Sequence, residues 1–169
     1  MNIISISRRN IIHNYEHLHS LQDHAAMFPV LKSNAYGHGL EQVAKILNRT
    51  DAEYIVVDSY PEYVIAKKYS RKPILVLWET LDENYKYFDF KITTFCVYNV
   101  GTLQYLADRG KELDVHIFIN TWMNREGVNE EQLWDVLDLL EKNPHVKVSG
   151  VMSHLHSGDE IYMIILIHK

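Results

Sequence analysis

Short runs of branched and aromatic residues alternate along this chain with stretches whose apolar positions recur at helical spacing. That alternation is the pattern of a fold assembled from βα repeats. The runs that read as strands are Met27–Leu31, Tyr54–Val57, Ile74–Leu77, Ile92–Val97, Val115–Ile119 and Val146–Met152. Each is short and carries few charges, as a strand covered on both faces of a parallel sheet should. Pro29 weakens the first of them, since proline has no N–H to give to a ladder. Leu40, Val43, Ala44 and Leu47 share one helical face, and Leu133, Val136, Leu137 and Leu140 repeat that spacing. Both segments are expected to be amphipathic helices lying on the sheet.

The fold class expected is therefore α/β. Parallel strands joined by helices form either an open doubly wound sheet or a closed (β/α)8 barrel, and periodicity does not separate the two. A closed barrel takes about 250 residues, so in the barrel reading a chain of 169 residues supplies only about six of the eight βα units. Such a chain would carry two open sheet edges, which template association, and is expected to be marginal or oligomeric alone. No internal repeat, low-complexity tract or linker marks a second domain.

Composition narrows the function. A formal charge of −5 with no run of lysines or arginines argues against a nucleic-acid partner. The longest apolar run, Ile161–Ile167, falls far short of the roughly 20 residues of a membrane-spanning helix, so no membrane span is expected. Cys96 is the single cysteine and cannot form an internal disulfide, and the N-terminus lacks a signal-peptide pattern. A cytoplasmic protein is expected.

The chemistry concentrates in Val30-Leu31-Lys32-Ser33-Asn34-Ala35-Tyr36-Gly37-His38-Gly39, which follows an apolar run and leads into the helix at Leu40. In parallel α/β folds functional groups gather at the C-terminal ends of strands. A lysine there can form a Schiff base with an aldehyde cofactor and, partly desolvated, can also act as a base. Tyr36 could reach a phosphate, and Gly37 and Gly39 allow a loop to bend around a ligand. Taken alone, such a lysine is more often a solvated strand cap.

The whole string, however, closely resembles the cofactor-lysine motif of alanine racemases, which reads K-x-N-A-Y-G-H-G after a strand. The resemblance implies that Lys32 holds pyridoxal 5′-phosphate and exchanges the substrate's α-proton on one face, and that Tyr36 binds the cofactor phosphate. His116 to Gly127 resembles the family's D-T-G-M-N-R-x-G segment, which gives Arg125 the role of hydrogen-bonding the cofactor's phenolic oxygen. Met123 and Arg125 match it. Asn120 stands for the usual aspartate, Trp122 for a glycine, and Phe118 for a lysine that supports the arginine in many members. Arg125 is accordingly expected to be less well held, and Trp122 to crowd a loop that needs positive φ.

Gly150 to Glu160 is similar to the family's G-x-x-T-H-F-x-x-A-D-E segment, which implies that His154 packs on the cofactor ring. His154, His156 and Asp159 do not suggest a metal site, because alternating histidines on a strand point to opposite faces. Lys32, Arg125 and His154 each follow a predicted strand, so all three are expected at one barrel mouth.

The resemblance runs from the opening helix near Ile4 to Glu160. Residues 161–169 form an apolar tail without a counterpart, and the family's later strands and β-rich C-terminal domain are not found, so the chain reads as truncated. Racemisation needs a base on each face of a planar carbanion, and Lys32 supplies one. In the family the other is a tyrosine from the partner subunit of a homodimer. The implied function is interconversion of L- and D-alanine, with this chain possessing only part of the machinery. A pyridoxal-phosphate-binding protein without racemase activity and a functionless remnant are the alternatives.

Overall fold

The computed structural model describes residues 3–21 and 25–155, arranged as two compact units, residues 1–95 and 96–169. The tail at 161–169, His156 and Asp159 lie outside the described residues.

In the first unit, helix α1 (Arg8–Ser20) opens at Ser7, whose Oγ accepts a hydrogen bond from the Asn10 N–H. Its buried Tyr15 donates to Asp51 Oδ1 at 2.7 Å. Burial, and then the adjacent carboxylate, push the Tyr15 phenol up to about 12. One helical turn, α2 (Lys32–Tyr36), precedes helix α3 (Leu40–Leu47), whose Leu40, Val43, Ala44 and Leu47 are all buried, as their spacing predicts. Strands β1 (Ile55–Val57), β2 (Ile74–Val76) and β3 (Thr93–Val97), the last reaching the unit's boundary at Phe95, are parallel, with Ile55 opposite Ile74 and Ile74 opposite Thr93. Every residue of the three strands is buried. Helix α4 (Tyr60–Tyr69) and a 3-10 helix (Asp82–Tyr87) complete the unit. An aromatic cluster fills the space beside them, with Phe88 meeting Tyr63 at 4.6 Å and Phe95 edge-on at 5.2 Å between ring centres.

The expected first strand, Met27–Leu31, is reduced to a single parallel bridge between Val30 and Val56. Pro29 can only accept: its carbonyl takes the Val56 N–H at 2.9 Å, and the Leu31 N–H returns to the Val56 carbonyl at 2.7 Å. The described residues thus carry five strands where the sequence suggests six.

In the second unit come helix α5 (Val100–Ala107), strand β4 (Leu113–Phe118), helix α6 (Glu130–Lys142) and strand β5 (Val146–Met152), with β4 parallel to β5. A register shift at Val115/His116 leaves Ser149 unmatched and sets Gly150 opposite His116. Two expectations are corrected. Along α6 the buried positions are Val136 and Leu139, with Leu133 and Leu140 half-buried, while Leu137 is 49% exposed, so the packed stripe passes through Leu139 rather than Leu137. Strand β5 is largely exposed, because no strand among the described residues covers its other side.

Candidate active site

Lys32 is half-buried and begins α2, one residue beyond Leu31, which follows the bridge at Val30. Ser33, Asn34, Ala35 and Tyr36 have φ of +52°, +55°, +52° and +51°, so this is one turn of left-handed helix. In L-residues that conformation costs roughly 1–2 kcal/mol each, and a set of specific bonds holds it. The Ala35 N–H donates to the Leu31 carbonyl at 2.8 Å, and the Gly39 N–H to the Asn34 carbonyl at 2.9 Å. Asn34 Oδ1 accepts the Leu40 N–H at 2.8 Å and so satisfies one of the open donors at the start of α3. His38 Nδ1 lies 3.0 Å from the Ala35 carbonyl, which can only accept, so Nδ1 carries the proton. Gly37 ends the turn at φ +87°.

No ion pair among the described residues engages the Lys32 amine. Tyr36 is 62% exposed and borders an open recess of about 520 Å³, whose walls include Ser5, Ser7, Asn10 and Asn14.

In the second unit the loop from Ile119 to Val128 is pinned at its ends. Asn120 N–H donates to the Val128 carbonyl at 3.0 Å, and Val128 N–H to the Phe118 carbonyl at 2.8 Å. Asn120, in place of the expected aspartate, still organises the loop: its Oδ1 accepts the Asn124 N–H and its Nδ2 donates to Asn124 Oδ1, both at 3.0 Å. Gly127 sits at φ +108°, where a Cβ would stand 2.8 Å from the Asn120 nitrogen. Trp122 does adopt positive φ, +75°, with its ring in solvent.

Arg125 is paired with the neighbouring Glu126 carboxylate through both Nε and Nη2. That pair gives the guanidinium a partner where Phe118, itself buried, offers none. Arg125 and His154 border one recess with Phe118, Asn120, Thr121 and Met123, and this recess leaves no room for a water molecule.

Each unit thus carries two of the residues singled out by sequence, Lys32 and Tyr36 in the first, Arg125 and His154 in the second. Two carboxylates at these sites are specified by none of the motifs. Glu126 adjoins Arg125 in sequence, so its charge alone could have suggested the pair. Glu62 accepts the Ser33 N–H on Oε1 at 2.7 Å and the Asp58 N–H on Oε2 at 2.9 Å. Its only local signal is Ser59-x-x-Glu62, the pattern of a helix capping box.

Residues 6–163 match the family described as alanine racemase, N-terminal domain. Alanine racemase 1 of Bacillus subtilis (strain 168) is 32% identical over 161 residues, an alignment covering 93% of this chain and 41% of that protein. Among solved structures, alanine racemase from Corynebacterium glutamicum superposes with a TM-score of 0.88 at 26% identity, covering 99% of this chain and 51% of that one. Alanine racemase from Bartonella henselae with covalently bound pyridoxal phosphate gives 0.81 at 22% identity, covering 96% and 50%. The chain spans under half the length of the curated relatives it matches. The fold class is α/β of the (β/α)8 barrel type.

Proposed function

The chain belongs to the alanine racemase family, through its N-terminal domain, and from that premise we propose that it binds pyridoxal 5′-phosphate on Lys32 and serves the interconversion of L- and D-alanine. The observation that carries this reading is Lys32 itself, a half-buried residue outside every ion pair of the described residues, set at the head of a left-handed turn in the K-x-N-A-Y-G-H-G segment. The residue types suit the cofactor's groups taken one by one: a primary amine for its aldehyde, a phenol for its phosphate and a guanidinium for its phenolic oxygen.

Bound there, pyridoxal phosphate would draw electron density from the substrate's α-carbon and make its proton acidic. The Lys32 amine holds the cofactor and moves the α-proton on one face. By the family pattern Tyr36 would hold the phosphate, Arg125 would face the phenolic oxygen and His154 would lie against the ring. Racemisation needs a second base on the opposite face. We assign that role, by the family pattern, to a tyrosine of a partner subunit, and expect a homodimer in the cytoplasm that provides D-alanine for peptidoglycan precursors.

The test is to incubate the purified protein with pyridoxal phosphate, reduce with borohydride and locate the adduct by peptide mass spectrometry. A pyridoxyl group on Lys32, lost in Lys32→Ala, supports the reading, and alanine racemisation is then assayed separately. Adducts scattered over surface lysines in both proteins would overturn it.

A further inference from the structure

Lys32 is held from both sides through its neighbours' backbone. On one side, the Leu31 N–H donates to the Val56 carbonyl of β1 at 2.7 Å. On the other, the Ser33 N–H donates to Glu62 Oε1 at 2.7 Å. The second oxygen of the same carboxylate accepts the N–H of Asp58, the residue that follows β1, at 2.9 Å. Glu62 lies in the first turn of α4. It does not close a capping box on Ser59, which makes no side-chain cap bond.

From this geometry we infer that Glu62 is a positioning residue for Lys32: its carboxylate ties the Lys32–Ser33 peptide to the end of β1 and so fixes the direction in which the lysine side chain leaves the backbone.

The chemistry explains why a carboxylate is required. Two backbone N–H groups converge on two oxygens, and glutamine could satisfy only one of them, because its amide would face the other with a second donor. The Ser33 bond also falls on the first residue with positive φ, so it secures the left-handed turn at the point where a relaxed backbone would begin to unwind. Loss of that bond frees the peptide plane immediately after Lys32 without touching the amine.

The inference deepens the assignment of Lys32 as the cofactor lysine and rests on it. Its test uses the full chain and two readouts. Amide hydrogen exchange followed by NMR should show Ser33 and Asp58, the former an exposed residue, exchanging about tenfold or more slower in the unsubstituted protein than in Glu62→Gln, a loss appropriate to a charge-assisted bond. The Leu31 amide, bonded to Val56, should stay protected in both. The rate of borohydride-trapped pyridoxal phosphate addition to Lys32 should fall about tenfold or more in Glu62→Gln. It should be unchanged in Tyr15→Phe, which removes a hydrogen bond of the same unit away from Lys32.

A folded Glu62→Gln protein with unchanged Ser33 exchange or unchanged Lys32 addition would overturn the inference. So would unprotected exchange at Ser33 in the unsubstituted protein, a measurement that does not need the variant to fold. If the unsubstituted protein forms no Lys32 adduct, the cofactor assignment fails, while the exchange rates still decide whether Glu62 holds the Lys32 backbone.

Discussion

Trp122 stands where glycine is usual in the family pattern, and its backbone lies at φ +75° with 87% of its surface exposed. A non-glycine residue in that region carries about 1–3 kcal/mol of strain, partly offset by the greater freedom glycine has when unfolded. With little packing to lose, Trp122→Gly should stabilise the protein by about 1 kcal/mol, seen as a raised thermal midpoint; a lowered midpoint would show that the indole makes contacts that matter. His116 is a second residue whose surroundings set its behaviour. It is buried against Gly150, and a Cβ there would come within 2.7 Å of the imidazole. Burial lowers its pKa below the ordinary histidine range, against a weaker opposing pull from Asp114. The unfolded chain therefore binds a proton at higher pH than the folded one. Stability from this group is present above about pH 6.5 and is lost as pH falls from there through the folded value. Denaturation midpoints between neutral and mildly acidic pH should show that decline, and His116→Gln should flatten it.

At the scale of elements, α1, α5 and α6 each begin with a side-chain cap bond, from Ser7, Asn99 and Asn129. Helix α6 begins with a complete capping box: Asn129 Oδ1 accepts the Gln132 N–H at 2.9 Å, and Gln132 Oε1 accepts the Asn129 N–H at 3.2 Å. Asn129→Ala should cost about 1 kcal/mol, measurable as a shift in the urea midpoint without a change in slope. Strand limits depend instead on what lies alongside. The Val146–Met152 strand has the limits its sequence suggests, yet its burial does not follow, because coverage belongs to neighbours rather than to the strand. Val30 illustrates the converse: the apolar run around it is real, but Pro29 allows only one bridge.

At the scale of the molecule, each unit has its own apolar centre, Ile55, Ile74, Tyr63, Tyr85 and Phe95 in one, Leu103, Leu106, Val115 and Val136 in the other. Phe88 touches Tyr63, Tyr85 and Phe95 at once, so Phe88→Ala should remove about 3–5 kcal/mol from the first unit. Loss of near-ultraviolet circular dichroism at a lower denaturant concentration would register it, and an unshifted transition would mean the cluster repacks around the gap.

Features that depend on neighbours along the chain are legible in its residues. Residue spacing settled the face of α3, and a consecutive string from Lys32 to Gly39 carried the candidate cofactor lysine and the family resemblance. Both are local patterns, and local patterns survive without knowledge of the fold. Tertiary structure decided what depends on residues far apart in sequence. Glu62 reads as an ordinary capping residue of α4 until folding brings Ser33, 29 positions away, within hydrogen-bonding distance. Leu137 shares the helical spacing of α6 but faces solvent, because periodicity defines a stripe while the packed neighbour decides where that stripe is centred.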